Sequence, residues 1–213
     1  MGRSLFSILA AAVTVGGMFV VVCGARLVVR LAGPRARLVS AACLLAYGAV
    51  LVVRPSPWPI IDAAVLIGSV GGVLLLERGL RTPGSVAAFL VVAAVVDVVS
   101  ISGGLSRVLI DRYVDGTSSL LLYLTLVVPI GGRAVPIVGI GDLFVGGAAA
   151  TALLRLGLRP LAVMGAISTG LLVALAYGLW RGGAAALPFI AVAVLLLVWR
   201  HGKARDGAGG GPP

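Results

Sequence analysis

The chain has 213 residues, of which 60% are hydrophobic and only 11% are charged, and its net charge is +10. Soluble domains are about 45–50% apolar and about 25% charged, so this composition excludes an ordinary soluble protein and indicates an integral membrane protein. The arginines separate apolar segments from one another. Their charge therefore favours a role in setting membrane orientation over the binding of nucleic acid.

A membrane-spanning helix needs about 20 mostly apolar residues, and seven segments of the chain approach that length. They are segments A (about 5–25), B (38–53), C (58–76), D (84–102), E (135–154), F (160–180) and G (184–199). Each is predicted to be a helix, because lipid offers no partners for open backbone hydrogen bonds. The sequence thus predicts one all-α polytopic membrane domain of about seven transmembrane helices over residues 1–200. A Gly/Pro-rich tail over 201–213 is predicted to be disordered.

The connection between segments D and E is predicted to be irregular. Residues 105–112 carry apolar side chains at helical spacing, which is typical of a short amphipathic helix at the membrane interface. Residues 118–130 are apolar but short for a span, and the run closes at Pro129 and two glycines. A strand or a half-inserted segment is therefore predicted over 118–130 in preference to a spanning helix.

The distribution of positive charge predicts the orientation of the chain. With seven spans, the 17 Lys and Arg residues divide into six on the side of the N-terminus and eleven on the other side. Because cytoplasmic loops carry the excess of positive charge, the N-terminus is predicted outside and the C-terminus in the cytoplasm. The first apolar run has the length of a span and is followed by Arg26 and Arg30. This pattern favours a retained first helix over a cleaved signal peptide.

Five of the seven acidic residues have ordinary explanations. Those in polar loops or in the tail are Asp111, Asp115 and Asp206. Glu77 has a partner in Arg81, four residues further along a helix. Asp62 lies in the predicted first turn of segment C, where the N-terminus of a helix favours a carboxylate. The two remaining acidic residues, Asp97 and Asp142, lie inside apolar segments.

Asp97 and Asp142 are predicted to lie at the same depth in the membrane. Asp97 is about five residues before the end of segment D, and Asp142 is about seven residues after the start of segment E. If 118–130 does not span, both lie roughly 8–10 Å below one surface, at about 1.5 Å per residue. An ionisable residue in a span costs at least about 2.5–3.5 kcal/mol, so it indicates a functional site. Two carboxylates at one depth are expected to share a proton, as in aspartic proteases.

Two further features accompany the pair of aspartates. Gly139 and Gly141 remove side chains beside Asp142, which lets another backbone approach. Pro188, near the start of segment G, removes a backbone N–H and disturbs the start of that helix. A proline in a first turn is also simply tolerated, so Pro188 alone predicts little.

Together these residues resemble the GxGD intramembrane aspartyl proteases, the presenilin and signal peptide peptidase family. Residues 139–142 read Gly-Ile-Gly-Asp and match the GxGD motif, and Asp97 takes the place of the other catalytic aspartate. Ala186, Leu187 and Pro188 match the end of the family's PALP motif. The resemblance covers about residues 84–195. It implies a short prokaryotic member with a presenilin-like fold that lacks the first two spans.

The resemblance also implies an activity and its residues. Asp97 and Asp142 would be the catalytic residues of an aspartic endopeptidase that cleaves transmembrane segments or signal-peptide remnants in a prokaryotic plasma membrane. The residues implied to contact the substrate are Gly139, Gly141, Ala186, Leu187 and Pro188. The segment 118–130 falls where relatives carry a strand that pairs with an unwound substrate. No metal, organic cofactor or nucleic acid is implied.

Two departures and two alternatives accompany this interpretation. Val96 stands where relatives usually carry Tyr, and Ala185 stands where the PALP motif begins with Pro. Prepilin peptidases also contain GxGD but carry Lys two residues later, where this chain has Phe144. A proton-coupled transporter could use the same two carboxylates as a relay, and an inactive relative could bind helices without cleaving them.

Overall fold

A computed structural model describes residues 3–54, 57–130, 133–181 and 185–208. Its helices are α1 (Arg3–Ala32), α2 (Ala36–Val53), α3 (Trp58–Leu76), α4 (Pro83–Gly103), α5 (Leu105–Val114), α6 (Leu120–Tyr123), α7 (Ile140–Arg155), α8 (Pro160–Arg181) and α9 (Leu187–Ala208). Strands β1 (Thr125–Ile130) and β2 (Arg133–Gly139) form a two-stranded antiparallel sheet between α6 and α7. The fold is therefore mostly helical with one short sheet.

Among the described residues, four helical stretches are long and apolar enough to cross a membrane. They are Leu5–Val53, which includes α1 and α2, then Trp58–Leu76, Pro83–Gly103 and Pro160–Arg181. Helix α9 adds a shorter apolar stretch, Leu187–Gly202. Large apolar side chains are exposed along the outer face of α4, as lipid contact requires. These features indicate an integral membrane protein, and the number of seven spans stays a prediction.

The structure corrects the predicted segment E. Residues 133–139 form strand β2, and α7 begins only at Ile140. Pro136 is unsuited to a helix interior, and the β-branched residues on either side of it suit a strand that has β1 as its partner. The predicted strand within 118–130 is confirmed for Thr125–Ile130, whereas 120–123 form a short helix.

The start of segment G and the tail also differ from the prediction. Helix α9 begins at Leu187, and residue 184, where segment G was predicted to start, lies outside the described residues. The helix then continues to Ala208, beyond the predicted start of a disordered tail at 201. The rest of the predicted tail, 209–213, lies outside the described residues.

Helix α7 is the buried centre of the bundle, and it packs against α1, α3, α4, α8 and α9. Its interior residues from Leu143 to Leu153 are almost all buried. Small residues permit this close packing: a Cβ atom on Gly147 would lie 2.8 Å from a methyl carbon of Val73, and one on Gly146 would lie 2.7 Å from Met18 Cε. Because close packing fixes α7 in the bundle, its first turn has a fixed position beside the hairpin of β1 and β2. The end of the bundle that carries this hairpin is the hairpin end.

Candidate active site

Asp97 lies in the second half of α4, and its partly buried carboxylate faces the start of α9. Asp97 Oδ2 accepts a hydrogen bond from the Leu187 N–H at 3.1 Å, and the Ala186 N–H also interacts with this carboxylate. The first N–H groups of a helix have no partners within it, and Pro188 at the second position has none to offer. Asp97 therefore satisfies the free donors at the start of α9.

Asp142 is the third residue of α7 and lies in its first turn. Its Oδ2 atom accepts a hydrogen bond from the Gly139 N–H at 3.3 Å, and its Oδ1 atom has no hydrogen-bond partner among the described residues. A carboxylate in this position is stabilised by the positive end of the helix dipole. The predicted position, about seven residues into a helix, is wrong because β2 occupies the residues before Ile140.

The structure brings the two aspartates together. Helix α4 packs against both α9 and α7, and the carboxylates of Asp97 and Asp142 are close enough to interact electrostatically. Each is held by backbone N–H groups at the start of a different helix, Asp97 at α9 and Asp142 at α7. The arrangement thus joins two carboxylates from helices that are separate in the chain, within one polar site.

The two glycines of residues 139–142 have different surroundings. A Cβ atom on Gly139 would lie 3.3 Å from Asp142 Oδ2, so a side chain there would press on the carboxylate. A Cβ atom on Gly141 would meet nothing within 4 Å. The absence of a side chain at Gly139 therefore leaves room for the Asp142 carboxylate, whereas the open space beside Gly141 is available to another molecule.

A cavity of about 380 Å³ opens beside Asp142. Its wall includes Ala186, residues 135–138 of β2, several apolar residues of α8, and Phe6 and Thr14 of α1. Leu187, Pro188 and Asp97 are not among the lining residues, so Asp142 is the carboxylate that faces the cavity directly. The size lies in the range of ligand sites, and the mostly apolar wall suits an apolar ligand.

Strand β2, and not β1, forms the wall of this cavity. The pairing runs from Thr125 with Gly139 to Ile130 with Arg133, and β1 also packs against α1 and α3. Tyr113 Oη donates a hydrogen bond to the Ala134 carbonyl at 2.6 Å, and the residues that follow, 135–138, line the cavity. The expectation that 118–130 would hold a ligand strand stays a prediction, and residues 135–138 of β2 are the strand residues that line the cavity.

Asp62 is a residue of this region that sequence reasoning missed. It lies in the second turn of α3 instead of the first, and its Oδ1 atom accepts a hydrogen bond from the Val127 N–H at 2.8 Å. The bond falls at the irregularity in the register between Leu126 and Val127. Asp62 thus anchors β1 to α3 and, through β1, positions β2. A partner 65 residues away leaves no local signal in the sequence.

Within the described ranges of the chain, no three His, Cys, Asp or Glu side chains are grouped so that they could hold a metal ion. Comparisons of the chain with protein-family models, with curated proteins and with solved structures find no match. The function must therefore be inferred from the geometry of the site and from the motifs of the sequence.

Proposed function

We propose that this protein is an intramembrane aspartyl endopeptidase of seven spans, with a presenilin-like fold that lacks the first two spans. The observation that carries the proposal is that Asp97 and Asp142, from separate helices, lie close enough to interact electrostatically, and that Asp142 lines an apolar cavity of about 380 Å³. Two paired carboxyl groups at the edge of a mostly apolar cleft can supply the general acid and the general base that hydrolysis of a peptide bond requires without a metal.

The proposed reaction uses one ionised and one protonated carboxyl group. The ionised group takes a proton from a water molecule whose oxygen attacks the scissile carbonyl carbon, while the protonated group donates a hydrogen bond to the carbonyl oxygen. The tetrahedral intermediate then breaks its C–N bond as a proton passes to the leaving nitrogen. The products are a new carboxyl end and a new amino end, and the pair again shares one proton.

The proposed substrate is a membrane-embedded helix that unwinds locally. A helix hides its peptide bonds, so a segment must become extended before a carbonyl can reach Asp142. Residues 135–138 offer the edge of a strand along the cavity, and an added strand gains affinity from main-chain hydrogen bonds. Pro136 has no N–H to donate, and prolines within sheets are found mainly on edge strands, so an added strand would gain no N–H donor at that position.

The proposed location is a prokaryotic plasma membrane, with the N-terminus outside and the C-terminus in the cytoplasm. Supporting this orientation, the basic residues are more numerous on the side that would face the cytoplasm. The site would then lie toward the outer surface. Substrates with N-termini that face the cytoplasm, which include transmembrane segments and signal-peptide remnants, would be preferred.

The test is cleavage of single-span reporter proteins of both orientations by the purified protein in lipid, with products mapped by mass spectrometry. Wild type is compared with Asp97→Asn and Asp142→Asn, which retain an oxygen acceptor for the helix N–H groups. Asp111→Asn, a change of the same chemistry in the exposed part of α5, serves as the matched control. The proposal requires a cut within the membrane segment that both site variants lose and the control retains.

One observation favours a second candidate function. The hydrogen bonds to Leu187 and Gly139 give each carboxylate a structural role at the start of a helix, which accounts for its burial without catalysis. Val96, where relatives carry Tyr, is also 61% exposed. A protein that binds helices or couples transport to protons would fit these facts. Proton flux that depends on both aspartates, in vesicles where no reporter is cut, would support it.

A further inference from the structure

A second cavity, of about 220 Å³, lies at the opposite end of the bundle. It is separated from Asp142 by the length of α7, about 20 Å at 1.5 Å per residue. The charged and polar residues that line it are Arg26, Arg30, Glu77, Thr151 and Arg155. Three guanidinium groups and one carboxylate give a formal charge of +2 (3 − 1). The cavity is therefore strongly positive, in contrast to the one beside Asp142.

Part of this charge is already used in holding the fold. Arg155 Nη2 donates hydrogen bonds to the Glu77 carbonyl at 2.8 Å and to the Leu80 carbonyl at 2.7 Å. These bonds tie the end of α7 to the chain that follows α3. The expected pair of Glu77 with Arg81 is absent from the ion pairs of the described residues, where Arg81 instead bonds to the Arg78 carbonyl.

The other polar groups of the cavity are left without partners in the described part of the chain. Neither Arg26 nor Arg30 forms a side-chain hydrogen bond or an ion pair there. Thr151 Oγ1 is buried and has no hydrogen-bond partner. Buried polar atoms are nearly always satisfied in native proteins, and arginines gathered around a cavity repel one another. The buried Thr151 hydroxyl and the surrounding arginines therefore suit an occupant that accepts hydrogen bonds and carries negative charge.

A phosphate group has the chemistry that these residues require. Guanidinium groups bind its oxygens in a bidentate manner, and the Thr151 hydroxyl can donate a further hydrogen bond. A single water fills only about 30 Å³ of liquid volume, so the cavity has room for a phosphate group and several waters. The buried carboxylate of Glu77 opposes a doubly charged phosphate more than a singly charged phosphodiester, and it can accept a hydrogen bond from a hydroxyl of a headgroup.

We propose that this cavity binds the phosphodiester headgroup of an anionic phospholipid. The site lies where the ends of membrane helices meet the surface, which is the depth of lipid headgroups. In the proposed orientation this surface is cytoplasmic, where anionic lipids are enriched and basic pockets between helices bind them. The site is distinct from the pair of aspartates, so it stands or falls independently of proteolysis.

The first experiment measures lipid binding by the purified full chain in detergent, using native mass spectrometry and thermal unfolding. The probes are phosphatidylglycerol, phosphatidylcholine and inorganic phosphate. Wild type is compared with the double variant Arg26→Gln/Arg30→Gln. The matched control is Arg37→Gln/Arg81→Gln, which removes the same charge from exposed arginines outside the cavity.

Wild type and the control are expected to bind phosphatidylglycerol at least about 10-fold more tightly than phosphatidylcholine, and the cavity variant is expected to lose this preference. Equal losses in the cavity variant and the control would overturn the proposal, because they would indicate general attraction of anionic lipid to a basic protein. Stabilisation by inorganic phosphate that phosphatidylglycerol does not exceed would also overturn it, and would assign the site to free phosphate.

Thr151→Val provides a second, sharper test. Valine has nearly the shape of threonine but no hydroxyl, so without lipid the variant should be at least as stable as wild type. With phosphatidylglycerol it should gain less in Tm and bind about 3-fold to 10-fold more weakly. A variant that is less stable than wild type without lipid, yet binds the lipid equally well, would show that the hydroxyl serves the fold and would contradict its assignment to the site.

Discussion

Each end of α7 carries a charged side chain whose sign is opposite to that of the helix dipole at that end. In its first turn, Asp142 accepts a hydrogen bond from a free N–H, and in its last turn Arg155 lies at the negative end of the dipole and donates to the carbonyls of Glu77 and Leu80. Both charges suit the helix dipole. A charge at either end is thus explained by structure alone, and its burial does not by itself indicate function.

The ends differ in what surrounds those satisfied charges. Beside Asp142 lies a second carboxylate, Asp97, and a mostly apolar cavity. Beside Arg155 lie Arg26, Arg30 and an unpartnered hydroxyl. The first end therefore has two acidic groups next to space for an apolar chain, and the second has basic groups next to space for an anion. The proposed protease site at the Asp142 end and the proposed lipid site at the Arg155 end both rest on this difference.

The largest expected effect comes from removing the acidic charge at the hairpin end. Asp97→Asn and Asp142→Asn should each lower the cleavage rate by about 10²–10⁴-fold, the usual contribution of a general acid or base. The double variant should be no slower than the slower single variant, because the two groups act as a unit. Losses that multiply in the double variant would indicate two independent roles. The rates are measured by quantifying reporter fragments over time.

The next effect tests whether the cavity at the hairpin end receives the substrate. Ala174 is buried on α8 and lines the cavity, whereas Ala176 on the same helix is exposed. Ala174→Phe should fill part of the space and reduce cleavage at least about 10-fold, while Ala176→Phe serves as the control and should reduce it little. Overpacking can cost about 1–3 kcal/mol, so the Tm of both variants must be measured beside the rates. Equal rates in the two variants would exclude this cavity as the substrate site.

A smaller effect concerns the anchor of the sheet. Asp62→Ala removes the acceptor of the Val127 N–H and should lower the free energy of unfolding by about 1–3 kcal/mol. Asp62→Asn retains an oxygen acceptor and should lower it less. Because β2 rests on β1, the positions of cuts in the reporter should also shift in Asp62→Ala. Thermal unfolding and mass spectrometry of the products measure the two consequences separately, and unchanged stability in both variants would remove Asp62 from this role.

The smallest expected effect contrasts two neighbouring glycines. Gly139→Ala presses a methyl group on Asp142 Oδ2 and should lower the cleavage rate. Gly141→Ala lies in a helix with open space around it and should raise stability by about 0.5–1 kcal/mol, the usual gain from replacing a helical glycine. If the open space beside Gly141 receives substrate, Gly141→Ala should also raise KM without lowering Tm. A fall in Tm for Gly141→Ala would contradict the open space around Gly141, because it would show that an added methyl group clashes there.

Much of the helical framework is accessible from the sequence. Apolar runs bounded by arginines and prolines predict helices close to the observed α2, α3, α4 and α8. The reason is that lipid forces each apolar run to close its own hydrogen bonds. The short apolar run over 118–130, closed by Pro129 and two glycines, likewise predicts a strand, and β1 lies within it. These are local properties, and local patterns therefore sufficed.

The parts that were missed depend on partners far away in the chain. Strand β2 belongs to the same apolar run as α7, and its pairing with β1, with the local preference of Pro136 and its β-branched neighbours, separates the two. Local sequence explains Asp62 by the helix dipole and Glu77 by an i,i+4 pair, whereas Asp62 accepts a hydrogen bond from Val127, and Glu77 lines a cavity with arginines distant in the chain. Asp97 and Asp142 stand out in the sequence because each is a single acidic residue inside an apolar run, whereas the distance between them depends on how α4 packs against α7 and α9.

The most direct test of the central proposal uses a ligand that imitates the tetrahedral intermediate, so no natural substrate is needed. A photoreactive apolar peptide with a hydroxyl at the position of the scissile carbonyl is compared with a matched peptide that lacks the hydroxyl. If the two carboxylates act together on one tetrahedral centre, wild type should bind the hydroxyl peptide at least about 10²-fold more tightly and be labelled near residues 135–138 or on α8. Asp97→Asn and Asp142→Asn should both lose this preference. Equal binding of the two peptides by wild type, or an undiminished preference in either variant, would contradict the proposed protease.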